Sequence, residues 1–511
     1  MEDKRSFSAA ERYKTLETDR QGPLDRARRN ARLTLPWIMP PDGSDAQTEL
    51  YDPFQNVGSR GVNHLGSKMT LAVFPANEPF WRHDADEYAA DELSDEQVVE
   101  IRKSLSRYDR TAMANIESSG DRPKIDLVNK HLLVAGNVLL DIREPTLRVF
   151  SLDSYVVVRD SRGKLIELVI KEQVHPDTLD ADVRAQLKEE KDREVKPSAE
   201  KDMLDLYTHV QLQEQMYHGF QEIDGVHIDG SDFVKKPDDL GFIALRFTVI
   251  DGQSYGRSFV ESMYGDLDTL ETLTQAITDV ASAAARVIFL VRKNGTTRAY
   301  DLSKAQNFDF VPGDANDVTV LRLDKAQDMR IAYELAQKIE ERLGEQFLLR
   351  SSATRQAERV TAEEIRYVAL ELEDALSGIY SLLTIELQLP YVRLRIKQMK
   401  NLPALPDDVV KLTIVTGLEA LRRGHEMQKL RAWTDGLSQV YGPETVRQYI
   451  PISAYAKRLG DSLGLDLMGL ITSEEQALEK KAAEEVTSTA IQAGPSLIQG
   501  AMQDASTQEQ A

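Results

Sequence analysis

Residues 326–387 read AQDMRIAYELAQKIEERLGEQFLLR, then SSATRQAERV, then TAEEIRYVALELEDALSGIYSLLTIEL. The first part spaces Ile331, Leu335, Ile339, Leu343 and Phe347 as one helix face. The last part repeats that spacing with Ile365, Val368, Leu372, Leu376, Ile379, Leu383 and Leu387. It opens on Thr361-Ala-Glu-Glu364, a hydroxyl N-cap with a reciprocal carboxylate. Between the two stripes, Arg350, Arg355 and Arg359 stand among serines and threonine against a single acid, Glu358. The pattern predicts a helix over 326–349, a polar loop over 350–360 and a very long helix from 361, kinked at Pro390.

Working outward, 254–288 predicts another helix, with Phe259, Met263, Leu267, Leu270, Leu273, Ile277 and Val280 on one side. The insert between the two helices, 289–325, is β-like. It has Ile288 and Leu290 at its start, the turn-forming Asn294-Gly295, and Val318, Val320 and Leu321 at its end. Residues 1–253 mix both periods. Helices are expected over 1–35, over Asn56 to Phe74 (where Gly58, Gly61 and Gly66 permit close packing), from the capping box Ser94-Asp-Glu-Gln97 to about Glu117, and over Lys124 to Gly136. Strands follow. A turn at Asp160-Ser-Arg-Gly163 joins Tyr155–Val158 to Lys164–Ile170, and Leu206, Thr208, Val210 and Leu212 alternate. Short helices run on to about 470, and 471–511 holds too little hydrophobic volume for a core. The expected class is α+β, predominantly helical.

A chain of 511 residues suggests roughly three or four domains. With 63 Lys and Arg against 84 Asp and Glu, the formal charge is −21, which argues against a protein that coats nucleic acid. No cysteine is present, so disulfides, thiolate metal sites and cysteine nucleophiles are excluded. The N-terminus is charged without an apolar segment, and no run approaches the ~18 apolar residues of a membrane span, so no membrane insertion is expected. No phosphate loop, dinucleotide fingerprint, HExxH or GxSxG motif occurs. Gly58-Ser-Arg-Gly61 is only a fragment of a phosphate loop and reads better as a packing site. The expectation is a non-enzymatic protein without cofactor or metal.

Several stretches resemble the head-to-tail connector (portal) proteins of short-tailed phages. They are Val134-Ala-Gly-Asn-Val-Leu-Leu140, Ser154-Tyr-Val-Val157, Ser254-Tyr-Gly-Arg-Ser258, Glu358-Arg-Val-Thr-Ala-Glu-Glu-Ile-Arg-Tyr367 and Thr416-Gly-Leu-Glu-Ala420. The resemblance implies a portal fold assembled as a dodecameric ring at one capsid vertex, a conduit for double-stranded DNA during packaging and ejection. Partners implied are the major capsid and scaffolding proteins, the terminase large subunit that is the packaging ATPase, a tail adaptor and internal core proteins. The product would be made in the host cytoplasm and reside in the virion. The alternative is an oligomeric scaffold or adaptor that does not conduct DNA.

Laid onto this chain, the resemblance makes 1–253 the wing, 254–288 and 326–349 the stem helices, 289–325 the clip and 350–360 the channel loop. It makes 361–417 the long wing helix with its following segment, 418–470 the crown and 471–511 a flexible or barrel-like tail. Glu261, Asp266, Asp268, Glu271 and Asp279 would form an acidic channel wall that repels phosphates. Arg350, Arg355 and Arg359 would form a sparse basic collar on sliding DNA, acting only at close range because the Debye length is about 8 Å at physiological salt. Arg292, Lys293, Arg298 and Lys304, near the Asn294-Gly295 turn, would dock partners.

Overall fold

The computed structural model describes residues 8–45, 47–75, 80–85, 95–191, 203–284, 288–321, 326–349, 371–372, 378–399, 402–403, 410–414, 418–442, 445–446, 450 and 455–456. Two compact units divide the chain, Met1–Gly417 and Leu418–Ala511. In chain order the helices are α1 (Ala9–Arg32), α2 (Val57–Val73), α3 (Asp95–Ser118), α4 (Arg122–Ala135), α5 (Ala181–Lys191), α6 (Tyr264–Ala284), α7 (Ala299–Lys304), α8 (Ala326–Gln346), α9 (Ile379–Leu383), α10 (Leu389–Gln398) and α11 (Leu418–Tyr441). The capping boxes at Ser94 and Thr361, the loop 350–360 and the tail 471–511 lie outside the described residues.

The first unit is built on two antiparallel sheets. A three-stranded sheet pairs Asn137–Asp141 with Arg148–Phe150 on one side and Phe242–Arg246 on the other. A six-stranded sheet runs from Tyr155–Arg159 through Leu165–Val174, Leu204–Gln213 and Met216–Ile223 to Val226–His227, with Phe233–Lys235 also on Met216–Ile223. The expected hairpin forms: Tyr155–Arg159 pairs with Leu165–Val174 through a turn in which Gly163 has φ 85° and Asp160 Oδ1 accepts from Arg162 N and Lys164 N. Two smaller pairings join Trp81–Ala85 to Val410–Ile414 and Ile288–Val291 to Val318–Leu321.

Alternation along 204–213 suggests one wet face, yet Tyr207, Thr208, His209 and Val210 are all buried in succession. Both faces are covered. Ala9, Tyr13 and Leu16 of α1 cluster with Val156, Val169 and Tyr207 on one face. Val157, Leu168, Ile170 and Val210 enter the main core on the other. Ionic pins hold α1 in place. Glu222 accepts from Ser8 Oγ at 2.5 Å and Ala9 N at 2.7 Å. Buried Glu167 accepts from Arg12 Nε and Nη2 at 2.8 and 2.6 Å and pairs with His209 Nε2 at 2.8 Å.

Burial pushes the Glu167 carboxyl up, but hydrogen bonds from Arg12 and His209 outweigh it and hold the group at about 2. A carboxyl depressed in the folded state stabilises above its ordinary value of 4.5 and loses that contribution as pH falls toward 2. Glu167→Gln is therefore expected to lower stability by about 2–3 kcal/mol at neutral pH. The deficit should shrink as the pH drops through the same window. Urea unfolding as a function of pH checks this, and a deficit constant between pH 2 and 7 would count against the assignment.

Three expectations change in the 254–399 region. The helix expected over 254–288 begins only at Tyr264, after a 3-10 turn over Val260–Met263, and ends at Ala284. Residues before it cannot wind because they dock elsewhere: Gly256 O accepts from Asn137 Nδ2, Gly256 N donates to Asn137 Oδ1, and Arg257 pairs with Thr248 through both backbone groups. Asn294-Gly295 does turn, Gly295 N donating to Arg292 O at 3.1 Å, but it does not join the two strands as a tight hairpin. The paired strands are joined instead by a long connection that includes α7 and a 3-10 turn at Ala315–Asp317. At Pro390, the distortion is a π turn over Thr384–Gln388 placed just before α10. Proline offers no N–H to Glu386 O and its ring crowds that carbonyl, so the turn widens.

Candidate functional site

α6 and α8 pack side by side and carry the insert 288–321 at their far end. Their apolar stripes close only at the end nearest the main core. Met263, Leu267, Leu270, Ile339, Leu343 and Phe347 are buried, but Ile331 and Leu335 of the α8 stripe are 66% and 46% exposed. The five acids expected on one wall separate. Glu271 is buried and accepts from Tyr51 OH at 2.5 Å, Phe54 N at 3.0 Å and Gln55 N at 3.2 Å. It holds the loop before α2 and is no wall residue. Glu261 lies on the 3-10 turn and is paired with Arg257 and with Arg26, the latter at 3.2 Å. Asp266 pairs with Arg342 across the two helices. Asp268 and Asp279 remain as exposed acids of α6.

In the insert, one buried carboxylate organises the connection. Asp317 Oδ2 accepts from Thr296 N at 2.7 Å and Thr297 N at 3.2 Å. Those backbone bonds, Thr297 first, hold its pKa below the usual carboxylate range. A Cβ on Gly295 would stand 2.3 Å from Asp317 Cγ, so the glycine is needed for this approach. Around that hub, Arg292, Lys293, Arg298 and Lys304 are all exposed. Arg292 lies 3.9 Å from Asp317, and Lys304 Nζ sits 4.3 Å from the Tyr300 ring centroid. Beyond them the chain presents aromatic rings to solvent: Phe289 is 60% exposed, Phe308 98% and Phe310 102%.

This arrangement is a helix pair bearing a projecting insert, joined to an α+β body. The bacteriophage head to tail connecting protein family matches residues 7–470. The chain belongs to that family. It is 38% identical over 483 residues to the portal protein of Enterobacteria phage T3, covering 91% of this chain and 88% of that one. It is 37% identical over 505 residues to the portal protein of Escherichia phage T7, covering 96% and 92%. A solved structure titled as the neck of an empty GTA particle is similar over 80% of this chain and 90% of that one, at 12% identity and a TM-score of 0.39.

As a connector-family member the chain is a structural component of the phage head–tail junction. Of the connector-specific residues, Arg350, Arg355 and Arg359 lie outside the described residues. The four basic residues of the insert are brought to one projection, and the five acids are not brought to one face. Sequence reading missed Asp317, whose role depends on backbone donors twenty residues away in the chain. It also missed Phe308 and Phe310, although two aromatics in the polar text QNFDFVPGD were a usable signal. Among the described residues no group of His, Asp and Glu is placed to hold a metal ion, and no helix is long and apolar enough to cross a membrane.

Proposed function

We propose that this protein forms a dodecameric ring at one capsid vertex and is the conduit through which double-stranded DNA enters and leaves the head. The reading is supported by membership of the connector family. The observation on the chain that carries it is the uncovered apolar stripe at the far end of the helix pair. Ile331 and Leu335 continue a core stripe but find no cover among the described residues, and a neighbouring copy in a ring supplies one. The exposed acids Asp268 and Asp279 suit a wall past which phosphates slide without sticking. In this reading 254–288 and 326–349 are stem, 289–325 clip, 350–360 channel loop and 418–470 crown. The clip receives the packaging ATPase and then the tail adaptor, the wing meets capsid and scaffolding proteins, and no catalysis is involved.

Electron microscopy of the purified protein viewed end-on tests this. A rotationally symmetric ring with a hole of about duplex width is expected, whereas a compact globule or an assembly without a hole overturns the conduit. Two variants probe the parts. Arg350→Gln/Arg355→Gln/Arg359→Gln should assemble normally but retain packaged DNA poorly, with a defect that weakens as salt rises. Arg292→Glu/Lys293→Glu should assemble normally and impair packaging or tail attachment. Parent-like DNA handling in the first variant removes the collar, and loss of folded protein in the second places those residues in the core.

A further inference from the structure

Where α8 stops, the chain turns on a residue poorly suited to turning. Leu349 N donates to Gly344 O at 2.8 Å and Leu348 N to Glu345 O at 3.0 Å, the paired bonds of a Schellman turn. The position after the cap takes a left-handed backbone, which glycine usually supplies. Here it is Leu348, with φ 55°. A side chain in that conformation is strained, so its surroundings must hold it there.

The surroundings are one face of α2. Gly61 gives room for the ring of Phe347, since a Cβ would stand 2.4 Å from its Cγ. One turn on, His64 Nε2 lies 3.1 Å from Leu348 O. Burial, and then the charge of Lys68, depress the His64 pKa, so the imidazole is neutral near pH 7 and its Nε2–H faces the carbonyl. One turn further, Lys68 Nζ lies 3.5 Å from the same carbonyl and 2.9 Å from Glu371 Oε2. The Lys68 side chain is only 3% exposed. A buried ammonium is costly unless paired, and an apolar residue of similar volume would pack there at less cost. Lysine at this point contributes a link that an apolar residue cannot.

We infer that Lys68 is a positioning residue that ties the strained end of α8 to Glu371, setting the separation of the two points between which the chain carries residues 350–370. The consequence for DNA rests on the portal reading above; the tie itself does not. Lys68→Met keeps the volume and removes the charge. It should leave ring assembly unchanged, speed amide hydrogen exchange at Leu348 and Leu349 at least tenfold, and reduce retention of packaged DNA. The exchanged pair Lys68→Glu/Glu371→Lys should recover most of both losses, which a purely volumetric role would not allow. Leu348→Gly relieves the backbone and keeps the carbonyl that His64 and Lys68 reach, so in that background Lys68→Met should change the exchange rate much less. Parent-like exchange in Lys68→Met overturns the tie, as does failure of the exchanged pair to recover it. Faster exchange with unchanged DNA retention overturns its bearing on the channel. If Lys68→Met does not fold, Glu371→Gln takes its place with the same expected readouts. A parent protein without an open ring would strike the portal reading and leave the exchange result standing.

Discussion

Asp121→Ala should destabilise the protein by about 3–5 kcal/mol, because it strands a buried guanidinium. Asp121 and Arg395 side chains are 4% and 5% exposed. One oxygen, Asp121 Oδ2, accepts from Arg395 Nε at 2.8 Å and from Tyr391 OH at 2.7 Å. The guanidinium also reaches Glu144 O and Gln398 Oε1 through Nη1. Burial, with Asp121 beside it, pushes the Tyr391 phenol far up, so it stays a donor at any working pH. This knot fastens α10 to the start of α4. Gln388 Nε2 donating to Val73 O at 2.5 Å fastens the same segment to α2. The segment after the π turn is therefore anchored at two points. Urea unfolding of Asp121→Ala should show the full loss, and Asp121→Ala/Arg395→Met should recover much of it by removing both charges. An unchanged midpoint in the single variant would rule out the knot.

Gly136→Ala is the second large effect, expected to cost on the order of 3 kcal/mol or more. Gly136 ends α4 with φ 73°, its N–H reaching His131 O and Leu132 O. A Cβ there would lie 2.6 Å from Arg257 C and from Ser258 N, both backbone atoms that no rotamer change can move aside. Gly136 O also accepts from Phe247 N at 2.9 Å, so the glycine cannot retreat. Gly225 is the internal control. Its φ is 85° but nothing lies within 4 Å of its Cβ position, so Gly225→Ala should cost only about 1–2 kcal/mol of backbone strain. Thermal unfolding of the two variants separates collision from conformation. Equal losses would show that the contact with Arg257 and Ser258 is not rigid.

The Gly136 site also explains two of the stretches that carry the family resemblance. Val134-Ala-Gly-Asn-Val-Leu-Leu140 and Ser254-Tyr-Gly-Arg-Ser258 are distant in sequence but interlock through Asn137 and Gly256. Neither stretch by itself says what it touches. Each is legible as unusual text, a helix end before a strand and a glycine-containing turn. Their meeting is a property of the fold.

Much was determined by the sequence alone. Helical spacing located α1, α2, α4, α6 and α8, because a stripe at that period can bury only against a neighbour. Asp160 and Gly163 located a hairpin, because few residues accept a left-handed turn. The glycines of α2 announced close packing, and Gly61 against Phe347 bears that out. What only the tertiary structure decided is which charges face solvent and which are mortar. Glu271 and Asp268 lie three residues apart on α6 and read alike in the sequence. One is buried under three donors from the loop before α2, and the other is exposed. Lys68, which nothing in its local text distinguishes from other helix lysines, is enclosed between Leu348 and Glu371. Periodicity is a local property that each segment carries in itself. A charge's role depends on the dielectric and the partners around it, and those come from segments hundreds of residues away.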